Sequence, residues 1–190
     1  MKRKAIAVAL ALSMMATMTP FSAFAASVTD FKDVPASSWY YDSVKGALDD
    51  GYMNGVSSDM FKPANNLTRA MFVTMLARFD KAAVDNNAAT AFADVKTGQW
   101  YTGSVAWAVK NGIVTGYSAT KFGTNDFIKR EDAAVMISRY AQKKGLKLKE
   151  KNTPAFRDSA QISEHAKEGL EYCRKYGIFI GDSEDMVHPK

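Results

Sequence analysis

Cysteine is almost absent: Cys173 is the one thiol in a chain of 190 residues. A lone thiol excludes a disulfide framework within the chain and a cysteine-rich zinc site. The two histidines, His165 and His188, leave little material for a histidine-based metal centre. Catalytic signatures are missing as well, with no Gly-x-Ser-x-Gly, no His-Glu-x-x-His and no phosphate-binding loop. Cys173 and His165 fall on one expected helix, about 12 Å apart along its axis, too far for a nucleophile and its base. No acidic pair stands out for glycan hydrolysis. These absences argue against an enzyme. A composition of 47% hydrophobic and 24% charged residues excludes a mainly disordered chain and a polytopic membrane protein.

Long apolar runs are also scarce, with one exception at the start. Lys2, Arg3 and Lys4 precede an apolar stretch from Ala5 to Met18, then Pro20 and Ala23-Phe24-Ala25. That order reads as a secretory signal over residues 1–25 with an A-x-A cleavage site, rather than as a membrane anchor. Removing its three basic residues from the total of 25 leaves 22 against 20 acids, so most of the formal charge of +5 disappears. Five of the remaining lysines (Lys143, Lys144, Lys147, Lys149 and Lys151) crowd into one short stretch. Nucleic-acid binding has no support in that balance. The expectation is an exported chain with no membrane span after cleavage and no cofactor.

What the sequence does contain is repetition. Phe31-Lys32-Asp33-Val34 recurs as Phe92-Ala93-Asp94-Val95, Trp39-Tyr40 as Trp100-Tyr101, Gly55 as Gly116, Phe61 as Phe122 and Arg69 as Arg130. Each pair has the same spacing. A third start appears at Phe156-Arg157-Asp158. The units are drawn at residues 28–85, at 86–150 including the basic linker, and at 153–190, the last having only the first half of the pattern. Within a complete unit Tyr40, Val44, Ala47 and Leu48 form one helical stripe, and Phe72, Met75, Leu76 and Phe79 a second. Gly51 and Gly112 are placed to end the first helix of each, and the residues after them could pair as short strands. The fold class is therefore all-α, helical repeats with short loops or strand pairs. A helical hairpin of this size cannot bury its own face, so the units should pack on one another.

Phe-x-Asp-Val, then Trp, Gly-Ile-Val-x-Gly and Thr-Arg-Ala in this order resemble the S-layer homology (SLH) repeat over residues 31–190. The resemblance implies a pseudo-threefold repeat bundle, here with an incomplete third repeat. It also implies a non-catalytic module that binds secondary cell-wall polysaccharide linked to peptidoglycan, at the cell surface. The family signature is Thr-Arg-Ala-Glu at the start of the second helix. Thr with Glu three residues on is a capping box, and arginine in a first turn, beside free backbone N–H groups, suits a carboxylate such as a pyruvate ketal.

This chain departs from the signature. Unit one reads Thr68-Arg69-Ala70-Met71 and unit two Lys129-Arg130-Glu131-Asp132. Arginine is the polar member kept in both, so the resemblance assigns carbohydrate binding first to Arg69 and Arg130, then to Thr68, Trp39, Trp100, Gly55 and Gly116. A solvated side chain or an inter-unit salt bridge is the alternative for the arginines. For Trp39 and Trp100 core packing is the favoured expectation. Asp33, Asp94 and Asp158 read as turn or cap residues rather than calcium ligands, and Cys173 as a buried, inert thiol. The alternative function is protein–protein docking to other SLH or S-layer proteins, or a fragment of a larger surface protein. The helix of unit three, carrying Ala166, Leu170 and Cys173, is expected to lack a cover and to open readily or borrow a helix.

Overall fold

The computed structural model describes residues 26–190, so the expected leader and its cleavage site lie outside the described residues. Among the described residues five α-helices carry the fold: α1 (Tyr41–Asp49), α2 (Arg69–Phe79), α3 (Thr102–Lys110), α4 (Arg130–Lys143) and α5 (Lys167–Lys175). Among the described residues no strand forms, and the expected strand pairs are replaced by turns. After α1 the N–H groups of Tyr52 and Met53 both donate to the Ala47 carbonyl, at 2.8 and 3.1 Å, which curls the segment back onto the helix end. An isolated bridge joins Thr68 and Phe127. Gly51, Gly112 and Gly177 end α1, α3 and α5 at φ of +72°, +68° and +62°, the left-handed conformation that a helix terminus favours.

The recurring aspartate has one job in all three units. Asp33 accepts from the N–H groups of Phe61 and Lys62 at 2.9 and 2.6 Å. Asp94 accepts from those of Phe122, Gly123 and Thr124 at 2.8, 2.7 and 2.9 Å. Asp158 holds Val187 and His188 at 2.9 and 2.7 Å. Each carboxylate thus clasps the start of its unit to the loop that follows its first helix. The aromatic ring two residues earlier fills the space beneath. A Cβ on Gly55 or Gly116 would run into the ring of Phe31 or Phe92, so glycine at these positions answers to packing.

Helices pair across unit boundaries. α2 packs on α3 and α4 on α5, while α1 has its main contact with the 3-10 turn Val28–Asp30. The main core joins Phe72, Val73 and Leu76 of α2 to Val105 and Ala108 of α3 and to Ala133, Met136 and Tyr140 of α4, with Ile113, Val114 and Phe122 between them. The opposite side of α4 presents Ala134 to Phe156, Leu170, Cys173 and Val187. Gly169 on α5 allows this approach, because a Cβ there would sit 2.8 Å from the Val135 Cα of α4. The expectation of an uncovered third unit is corrected here. Ala166, Leu170 and Cys173 are fully buried, because the cover comes from the helix before and not from one after. Burial pushes the Cys173 thiol up to about 12, which keeps it protonated and inert.

Candidate ligand-binding groove

The starts of α2 and α4 are where a ligand was expected, and the chain itself occupies them. Thr68 caps α2, its hydroxyl accepting from the Met71 N–H at 3.2 Å. The N–H groups of Arg69 and Ala70 donate to the carbonyls of Asp126 and Thr124 in the next unit, at 2.9 and 3.3 Å. In register, the Glu131 N–H at the start of α4 donates to Pro189 at 3.0 Å. Lys129 supplies no side-chain cap. At α2 the first-turn N–H groups imagined as open to an anion are therefore already bonded, and at α4 that of Glu131 is.

Arg69 is 4% exposed. Its Nε and one terminal nitrogen donate to the carbonyls of Phe122 and Thr115, at 3.1 and 3.2 Å. Its other terminal nitrogen lies 3.8 Å from Asp132. The guanidinium carbon sits 4.4 Å from the centroid of the Tyr117 ring and 5.0 Å from that of Phe122. Arg69 is thus an inter-unit tie that reaches from unit one into unit two.

A groove of about 480 Å³ opens beside this tie. Its floor is one face of α4, with Asp132, Val135, Met136 and Arg139 at helical spacing, and its wall is the segment from Val114 to Tyr117. Lys129 and His165 stand at the rim. Tyr117 is half-exposed, and its ring is held between Arg69 and Gly123, where a Cβ would collide with it. Burial raises the pKa of its hydroxyl against the pull of Arg69, so the group stays a neutral donor and acceptor.

The carboxylates of the groove are already matched. Glu131 is fully buried and accepts from the Ser163 N–H and hydroxyl at 2.9 and 3.1 Å and from Lys190 at 2.7 Å. Burial pushes its carboxyl up, but the Lys190 and Ser163 contacts outweigh it and the net direction is down. Asp132 meets Arg69 on one side and His165 Nε2, at 2.9 Å, on the other. A second groove, of about 500 Å³, lies against α5. Its cations are consumed locally, Arg174 by Glu171 and Lys167 by Glu164.

Of the residues assigned from sequence, Arg69 and Gly116 line the first groove. Arg130 is exposed and lies over the Phe179 ring at 4.8 Å. Thr68 is a cap, and Gly55 packs beneath Phe31 in unit one. Trp39 and Trp100 are 92% and 54% exposed, each edge-on to the following tyrosine, so the core-packing expectation for them is overturned. Their neighbours Tyr40 and Tyr101 turn inward instead. Sequence reasoning missed Tyr117, Asp132, Arg139 and His165. A signal for Tyr117 existed: the left-handed position held by Lys62 in unit one and His188 in unit three is Gly123 in unit two, the one residue that leaves room for a ring.

The S-layer homology domain model matches residues 30–71 and 91–134. An S-layer protein of Bacillus thuringiensis subsp. finitimus is 33% identical over 99% of this chain and 22% of its own length. The S-layer protein sap of Bacillus anthracis gives the same identity and coverage. The chain belongs to the S-layer homology family. Family membership places it outside the cell, at the bacterial surface, as an anchoring module. An amylopullulanase of Thermoanaerobacterium thermosulfurigenes is 30% identical over 90% of this chain, but that stretch is 9% of the enzyme. The chain spans about a fifth of the length of the S-layer proteins it matches. No helix among the described residues is long and apolar enough to cross a membrane.

Proposed function

We propose that this SLH chain is a non-catalytic anchor that binds secondary cell-wall polysaccharide, with an acidic sugar such as a pyruvate ketal lying in the groove along α4. The observation that carries the reading is Tyr117: a half-exposed ring, braced by a buried arginine, beside a floor that holds a further arginine. An amphipathic ring of that kind offers its face to a pyranose, and the cations beside it favour an anionic one. In this reading Arg69 and Gly116 shape the groove. Arg130, Trp39 and Trp100 are outlying contacts for a longer glycan, and Thr68 and Gly55 act through the backbone. The repeated pairing of α2 with α3 and α4 with α5 supports a pseudo-threefold arrangement of units.

The test is retention of the exported chain on purified wall sacculi, before and after chemical removal of the secondary polymer. Retention that disappears on stripping supports the glycan. Retention that persists transfers the binding to peptidoglycan or protein. A second reading, docking to another S-layer protein, is favoured by the open side of α1, where Ser43 is exposed while its counterpart Ser104 is buried. Co-sedimentation with a purified S-layer protein, without wall material, tests it.

A further inference from the structure

A charge ledger of the groove singles out one residue that the Thr-Arg-Ala-Glu signature does not mark. Each carboxylate has its partners: Glu131 has Lys190 and, at 3.9 Å, Lys129, while Asp132 has Arg69 and a ring nitrogen of His165. Arg69 is spent on two carbonyls and an aromatic sandwich. Arg139 is different. It lies two turns along α4 from Asp132, is partly buried on the groove floor, and forms no hydrogen bond or ion pair with any described residue. A partly buried guanidinium keeps its charge and loses part of its water, so an anion delivered to it is held more strongly than one at the surface. Its planar fork matches an oxyanion of two or more oxygens.

We infer that Arg139 is the residue of this groove that takes the anionic group of the ligand, and that the ligand is a saccharide bearing a carboxylate or a phosphate. The inference rests on the glycan-binding reading above. Arg69, in register with the family's signature arginine, then acts by holding Tyr117 and the Thr115 carbonyl in place, and the charge contact passes to the helix floor. Unit one has Arg78 at the matching position, but its guanidinium donates to the Tyr52 carbonyl at 3.3 Å.

The experiment titrates the exported chain, with wild-type sequence, Arg139→Ala, Arg139→Gln and Lys143→Ala, against soluble polysaccharide released from sacculi. Three forms of the probe are used: native, carboxyl-reduced to primary alcohols, and dephosphorylated. Loss of a charge-assisted bidentate contact should weaken binding of the native polymer about 10- to 100-fold in both Arg139 variants. Lys143→Ala makes the same charge change outside the groove and should leave affinity within about twofold. The polymer lacking the relevant anion should bind wild-type protein as weakly as the variants bind native polymer, with no further loss when the two changes are combined. Whichever treatment produces that loss names the anion. Tight binding of native polymer by Arg139→Ala and Arg139→Gln would remove Arg139 from the site and leave the glycan reading intact. Equal affinity of wild-type protein for all three polymers would overturn the anionic ligand. No binding by wild-type protein would end both readings. Arg139→Gln keeps the stem, so a fold defect confined to Arg139→Ala does not disturb the result.

Discussion

The first helices of units one and two carry the same stripe in different surroundings. Val44 and Val105 are both buried, yet Ala47 is partly exposed where Ala108 is fully covered, and Ser43 is open to solvent where Ser104 is 2% exposed. Nothing lies within 4 Å of a Cβ built on Gly46, whereas the counterpart position in α3 is filled by Trp107 against the main core. The cause is the direction of cover. α3 receives α2 and α5 receives α4, so each first helix is completed by the unit before it. Among the described residues only the short turn at Val28–Asp30, with Phe31, Val34 and Phe61, stands in that place for α1. Sequence periodicity shows that a face is apolar. It does not show which neighbour will cover it.

The sharpest way to test this contrast is truncation of the matched aromatic. Phe122 is fully buried and Phe61 is 8% exposed in a smaller cluster. Phe122→Ala should cost about 3–5 kcal/mol in a denaturant melt, and Phe61→Ala clearly less. Equal losses would show that the first unit is as tightly built as the second. Overpacking comes next. Ala108→Leu, under α2, should destabilise by about 1–3 kcal/mol, while Ala47→Leu should stay within about 0.5 kcal/mol. A large penalty at Ala47 would reveal a cover on α1.

Amide exchange separates the units without mutation. The amides of α1 should exchange faster than those of α3, by roughly tenfold or more, and those of α5 should be as protected as those of α3. Fast exchange across α5 in a dilute monomer would restore the expectation that the third unit is marginal. The smallest effect is in acid. Unit one has Ala70 where unit two has Glu131, so only the seam between α4 and unit three carries this buried carboxylate. Its folded pKa lies below the ordinary carboxylate value of 4.5. The stabilisation is therefore complete above that value and is lost as pH falls through the folded pKa. Glu131→Gln should flatten the acid limb of the stability curve by about 1 kcal/mol. An unchanged slope would mean that the contacts of Asp94, shifted in the same direction, carry the acid sensitivity.

Much of this architecture was legible from spacing alone. The repeat register gave the helices, Gly51 and Gly112 as their ends, the Thr68 cap, the turn role of the aspartates and the buried state of Cys173. The site was less legible, for a physical reason. Arg69 and Tyr117 are 48 positions apart in sequence and meet only because α2 docks on the following unit. Arg139 looks like any polar residue in a helix until the partners of the neighbouring charges are known. Trp39 and Trp100 were misjudged because each is followed by a tyrosine, and one of the two rings had to face outward.

The bonds from Arg69 and Ala70 to Asp126 and Thr124 also set an order of assembly. A chain leaving the cell amino end first presents α2 with its opening turn incomplete until Asp126 has followed it out. The same holds for α4, which waits for Pro189. Units one and two thus remain provisional until the following unit has emerged. A pause in export between residues 80 and 120 would leave the main core half-built, with Phe72, Val73 and Leu76 exposed to whatever chaperone or protease stands at the exit.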